Sequence, residues 1–200
     1  YEILTKNHDL ITQRTGVSID VVKALVRKHR EGIPAHLTTE DPDDILKEPS
    51  IDVVVETMGG IEPATAFMLQ AMENGKHVVT ANKAAVAANY EKLQAAAAKN
   101  QVQFLFEASV GGGIPILTAI QNALQGNAFL EVMGIVNGTT NYILTRMTED
   151  GMGYEEALAL ATKLGYAESD PTADVEGYDA GRKVAIMASI AFNSNVTFSQ

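Results

Sequence analysis

Between Ile51 and Gln125, short β-branched runs alternate with longer helix-forming runs, and this alternation constrains the fold more than any other feature of the chain. Ile51–Glu56 (IDVVVE), Lys76–Thr80 (KHVVT) and Val102–Phe106 (VQFLF) read as strands. Pro63–Asn74, Lys83–Asn100 and Ile114–Gln125 read as helices. Pro63 and Pro115 fall in first turns, where a missing N–H is harmless, and Gly75 and Gly126 follow the last turns. Apolar strands separated by helices specify a parallel sheet covered on both faces, with right-handed crossovers.

The flanking regions are less regular. Residues 1–15 place Ile3, Leu4, Leu10 and Ile11 at helical spacing, with Gly16 as a stop. Val21–Val26 reads as a strand. A polar segment with prolines at 34, 42 and 49 follows, holding a short helix near Asp43–Lys47. The character changes beyond Gly126, so a boundary is expected near 126–130. Leu130–Val136 reads as a strand, Tyr142–Met147 extends an apolar stretch, and Tyr154–Leu164 reads as a helix. Asp174–Phe192 reads as one long helix that starts polar and becomes apolar.

Bulk properties remove several classes of function. A formal charge of -10 argues against non-specific nucleic-acid binding and against an anionic membrane surface. The absence of cysteine excludes disulfides, thiolate chemistry and cysteine metal sites. The longest apolar run, Val184–Phe192, is too short to span a bilayer and contains Ser189. No signal-peptide pattern opens the chain, and a cytoplasmic protein is expected. The chain starts at Tyr1 inside helix-like sequence, as a piece of a longer protein would.

A doubly wound sheet binds its ligand beyond the carboxyl ends of its strands. Those ends read Glu56-Thr57-Met58-Gly59-Gly60, Thr80-Ala81-Asn82-Lys83 and Glu107 through Gly113. Each could be an ordinary turn, but three in register favour a site. The dinucleotide fingerprint G-x-G-x-x-G is absent; in this fold it would precede the helix at Tyr1. After Val21–Val26 come Arg27, Lys28, His29 and Arg30, which suit either a 2′-phosphate or a solvated basic turn. Gly111-Gly112-Gly113 could cradle a phosphate, offer carbonyls to a cation beside Glu107, or permit close packing. Asn137-Gly138 is a hairpin dipeptide in isolation, but the string NGTTNY could equally line a polar pocket or cap the next segment.

The segment Ala161–Lys183 concentrates chemistry. Glu168, Asp170, Asp174, Glu176 and Asp179 precede Lys183. Asp179 and Lys183 are four apart and share a helix face. As a surface pair they would contribute about 0.5 kcal/mol. The apolar run VAIMASIAF directly after Lys183 makes partial burial the alternative. Acids facing a lysine suit a pocket that holds a small amine-bearing substrate and delivers a proton.

These strings resemble the homoserine dehydrogenase family. The resemblance rests on Ala161, Gly165-Tyr166-Ala167, Asp170-Pro171, Asp174-Val175, Gly177, Asp179 and Lys183. ETMGG (56–60), TANKAA (80–85), EASVGGGIPI (107–116) and GIVNGTTNYIL (134–144) support it. It implies an α/β fold: a Rossmann-type doubly wound parallel sheet over residues 1–128, truncated at its start. Part of an α+β substrate-binding and dimerisation domain would follow over 129–200. It also implies NAD(P)-dependent interconversion of aspartate semialdehyde and homoserine, on the route to threonine and methionine, in a homodimer joined through the second domain. Spacing leaves Lys83 and Lys183 both open as the proton donor; by matching positions, Lys183 would take that role and Lys83 would assist beside cofactor and substrate. Glu168 would bind the substrate ammonium, with Asp179 and Asp174 shaping the pocket. Gly138, Thr139 and Tyr166 would contact substrate. Thr57 would lie along the nicotinamide and Arg27 near the far end of NADP. A monovalent cation such as Na+ would bind near Glu107, Val110, Gly112 and Ile114. Two alternatives stand beside this reading: another amino-acid dehydrogenase of the same architecture, and a silent fragment that only associates.

Overall fold

The computed structural model describes residues 1–28 and 31–198; His29 and Arg30 of the basic turn lie outside the described residues. The central sheet holds β3 (Val53–Glu56), β4 (His77–Thr80) and β5 (Phe104–Leu105), all parallel and in that order. Val53 pairs with His77 and Val78 with Phe104, so the three carboxyl ends lie side by side. A separate parallel pair joins β1 (Ala24–Leu25) to β2 (Thr38–Thr39). The expected strand over Val21–Val26 thus shrinks to its middle, with Val26 N–H adding one more bond to the Thr39 carbonyl.

The helices form where glycine, proline and alanine placed them. The start of the chain folds as α1 (Glu2–Lys6) and α2 (His8–Thr15), stopped by Gly16 at φ 75°. The short helix α3 covers Asp43–Leu46. Helix α4 (Ala64–Glu73) begins after Pro63, and α5 (Lys83–Asn100) covers its expected span with a kink at Asn89, where φ is -134° and ψ 25°. Both pack on one face of the sheet. Met68 and Met72 of α4, Val86 and Leu93 of α5, Val78 and Phe104 share one core, all buried. Each such side chain stabilises the fold by about 1.5–3 kcal/mol.

Three expectations are corrected. The helix over Ile114–Gln125 is one α-turn, α6 (Ile116–Thr118), continued by a π-turn over Ala119–Ala123, because Pro115 itself sits outside helical geometry at φ -81°, ψ 58°. Leu130–Val136 forms no strand among the described residues. It makes no backbone–backbone hydrogen bond there, and Leu130, Met133 and Ile135 are 95%, 84% and 79% exposed. The long helix over Asp174–Phe192 is two helices, α9 (Thr172–Val175) and α10 (Tyr178–Ala191), broken by Gly177 at φ 79°. Before them, the apolar stretch around Tyr142–Met147 lies within α7 (Gly138–Glu149), and α8 covers Tyr154–Lys163.

A second small core gathers Ile143 of α7, Ala157 and Ala161 of α8, and Ala167. Helix α10 bridges the two parts. Its Ile186 and Met187 belong to the same core as α5, so the base of α10 is carried to the carboxyl edge of the sheet.

Candidate active site

The site begins at the end of β3. Glu56 is 4% exposed. One oxygen accepts from the Met58 N–H at 2.6 Å, bracing the loop that follows, and the other accepts from Thr80 Oγ1 at 2.5 Å, tying β3 to β4. Thr80 Oγ1 in turn accepts from the Asn82 N–H at 2.9 Å. The Asn82 side chain donates to the Gly60 carbonyl at 2.7 Å and caps α5 by accepting from Ala85 N–H at 3.1 Å. This chain of bonds latches the glycine loop to the start of α5. Lys83 is the first residue of that helix, so its backbone is fixed from both sides.

Lys83 Nζ reaches Asp179 Oδ1 at 2.7 Å, and Lys183 Nζ reaches Asp179 Oδ2 at 2.6 Å. One carboxylate therefore holds two ammonium groups, one on each oxygen. The Asp179 side chain is 8% exposed, that of Lys183 15% and that of Lys83 38%. Burial pushes the Asp179 carboxyl up, but bonds from Lys183, Lys83 and Asn137 outweigh it and hold the group at about 2. A second bond runs from Lys183 Nζ to the Val136 carbonyl at 2.6 Å. An ammonium has three N–H groups. Two of those on Lys183 are thus engaged, and the third makes no hydrogen bond among the described residues.

The floor of the site comes from the start of α7. Asn137 caps that helix, accepting from Thr140 N–H at 2.8 Å, while its Nδ2 donates to Asp174 Oδ1 at 2.8 Å and Asp179 Oδ2 at 2.9 Å. The cap reading of NGTTNY therefore prevails over a hairpin. Thr139 Oγ1 donates to the Tyr166 carbonyl at 2.7 Å, and the Tyr166 ring stacks on Tyr142 at 4.5 Å.

Of the residues expected from the sequence, Lys83, Lys183, Asp179 and Asp174 are drawn into one network, and Gly138, Thr139 and Tyr166 adjoin it through Asn137 and α7. Glu168 is exposed and makes no hydrogen bond or ion pair among the described residues. Thr57 is exposed in the loop at the end of β3. Arg27 is exposed at the end of β1, on the two-stranded sheet rather than the central one, and makes no ion pair among the described residues. Asn137, Glu56, Asn82 and Tyr142 were not singled out as site residues. An asparagine before Gly-Thr-Thr carried a capping signal, but capping does not reveal what the amide's other end will meet.

The glycine run serves a different local purpose. The Glu107 carboxylate caps α6, accepting from Leu117 N–H at 2.9 Å and Thr118 N–H at 2.7 Å. The carbonyls of Glu107 and Ile114 already accept from Val110 and Ile116, whereas those of Val110 and Gly112 accept no hydrogen bond among the described residues. The donor set expected for a monovalent cation is therefore only partly free. Among the described residues no cluster of three or more His, Asp or Glu could hold a metal. No described helix is long and apolar enough to cross a membrane.

Comparison with known proteins decides the family. Residues 3–107 match the family model described as homoserine dehydrogenase, NAD binding domain, and residues 115–200 match the homoserine dehydrogenase model. The chain belongs to the homoserine dehydrogenase family. It is 47% identical to a homoserine dehydrogenase from Synechocystis over 88% of this chain and 40% of that one. The solved structure of a homoserine dehydrogenase from Thiobacillus denitrificans superposes with a TM-score of 0.91 at 44% identity, covering 99% of this chain and 47% of that one. A hyperthermophilic archaeal homoserine dehydrogenase, solved in complex with NADPH, superposes at 0.72 with 30% identity, covering 78% of this chain and 48% of that one. The chain thus spans less than half the length of these relatives.

Proposed function

We propose that this family member interconverts aspartate 4-semialdehyde and homoserine, on the route to threonine and methionine, with Lys183 as the proton donor. The observation that carries the reading is the pairing of Lys183 and Lys83 on opposite oxygens of one buried carboxylate at the sheet's carboxyl edge. NAD(P), when bound, supplies or accepts the hydride. The chain's residues fit such a group. The loop from Thr57 to Gly60 is exposed at the strand end, and Gly59 and Gly60 hold φ of 79° and 74° with room beside them. In this reading residues 1–128 hold the dinucleotide, with Thr57 at the nicotinamide end, Lys83 beside both ligands and Arg27 serving the adenosine side. Residues 129–200 hold the substrate and join two copies into a homodimer. A monovalent cation at the Val110 and Gly112 carbonyls, and residence in the cytoplasm, belong to the same reading.

The protein's own steps follow from the network. Asp179 is ionised at working pH and holds both lysine side chains in place, one on each oxygen. Lys183 presents its one unengaged N–H to the substrate oxygen, so that the developing alkoxide receives a proton without solvent. Lys83 stands on the other oxygen of Asp179 and steadies the substrate. Glu168, exposed beside Tyr166, takes the substrate ammonium, and Tyr166, Gly138 and Thr139 line its path. General-acid assistance of this kind is worth about 10²–10⁴-fold.

The test is Lys183→Ala in the intact protein. Turnover of aspartate semialdehyde with NADPH is expected to fall at least about 100-fold, while fluorescence titration shows NADPH affinity nearly unchanged. Parental turnover in that variant would remove Lys183 from the role.

A further inference from the structure

Asn137 stands between the two halves of the lysine network, and its chemistry is fully used. The side-chain oxygen accepts from Thr140 N–H and from Thr140 Oγ1, both at 2.8 Å. A backbone N–H can only donate, so the amide is locked with its NH2 group turned towards the acids. Those two hydrogens go to different carboxylates, Asp174 and Asp179. The residue is 7% exposed, which leaves no water to replace a lost bond cheaply. The residue before it, Val136, takes an N–H of Lys183 on its carbonyl. Two consecutive residues thus fix Lys183, one directly through the main chain, the other through the carboxylate the lysine leans on.

We propose that Asn137 is the positioning residue of this site: it sets the rotation of Asp179 and so the direction in which Lys183 presents its unengaged N–H. Asp179 Oδ2 receives both Asn137 and Lys183, whereas Oδ1 receives Lys83 alone. Without the amide the carboxylate is held by its two lysines alone, and any turn of it moves both ammonium groups. Capping alone does not call for asparagine, because serine and aspartate cap helices about equally well. Serine has a single hydroxyl and cannot span two carboxylates while capping. Aspartate would set a third negative group against two. Only asparagine offers one acceptor end for the helix and two donors for the acids. This inference rests on Lys183 being the proton donor.

The test compares Asn137→Ser with Asn137→Ala in the intact protein. Both variants are expected to lose kcat by about 10- to 100-fold, as misplacement of a reacting group by about 1 Å does, with KM for the semialdehyde and NADPH affinity nearly unchanged. Serine restores the helix cap but not the two bonds to the acids, so its thermal midpoint is expected to lie above that of the alanine variant while its kcat does not recover. A second readout is independent of turnover. The rate of covalent amine labelling at Lys183, measured by mass spectrometry relative to exposed Lys163, is expected to rise in both variants. A serine variant with parental kcat and parental labelling would make Asn137 a helix cap only and overturn the proposal. If the parent fails to turn over aspartate semialdehyde, or Lys183→Ala keeps its activity, the functional reading fails instead, and the labelling ratio alone decides the role of Asn137.

Discussion

At the scale of single residues, Asp179 is the group on which the site depends. Two ammonium groups next to each other repel, and only the carboxylate between them makes their approach favourable. Its pKa is lowered from 3.8 to about 2, so its contribution to stability is present above about pH 4 and is lost as pH falls through 2. The shift corresponds to about 2 kcal/mol. The stability difference between the parent and Asp179→Asn, measured by urea unfolding, is therefore expected to shrink by about that amount between about pH 5 and about pH 2. A difference that stays constant over this range would show that the carboxylate is not held by the lysines. The sequence placed Asp179 and Lys183 on one helix face by their spacing. It could not show that Lys83, near a hundred residues earlier, shares the same acid, because that contact is made by the packing of α10 on α5. Glu168 illustrates the converse: its motif position suggested a ligand, while its surroundings supply no partner among the described residues.

At the scale of elements, legibility followed local signals. The span of α5 was legible because its run of alanines favours helix, whereas its kink at Asn89 left no signal in that run. The strands β3 to β5 were read from β-branched runs, trimmed at their ends. Leu130–Val136 was misread because a strand exists only through its neighbour, and periodicity carries no information about whether one is present. The break between α9 and α10 was missed because a glycine inside a helical pattern is tolerated often enough to hide a stop. Gly177 at φ 79° is that stop, and an added side chain would be strained there. Gly177→Ala is expected to cost about 1–2 kcal/mol of stability, measured by thermal denaturation, against almost nothing for Gly138→Ala at a helical position with open space around it. Equal losses in the two variants would assign the cost to something other than backbone conformation.

At the scale of the whole molecule, the later part of the chain meets the sheet side through α10, with Val136 packed on the same core and Asn195 donating to Glu91. Ile186 of α10 is fully buried in the core built by α4, α5 and the sheet. Ile186→Ala is expected to destabilise by about 2–5 kcal/mol, measured by chemical denaturation, and to lower kcat as well, since the same helix carries Asp179 and Lys183. A variant that loses stability yet keeps full turnover would separate the core from the site. The fold class was legible from alternation alone, whereas the docking of α10 was not, because contacts distant in sequence leave no trace in periodicity.

A carboxylate whose two oxygens are each claimed by a different lysine behaves as a gauge block. The gap between the ammonium nitrogens is set by the width of the one acid group that both of them touch. In the proposed reaction the substrate carbonyl would meet that gauge at one height, so selection would act on reach rather than bulk. If the proposed reaction holds, an aldehyde one methylene longer or shorter would overshoot or fall short, a discrimination worth about 1–3 kcal/mol.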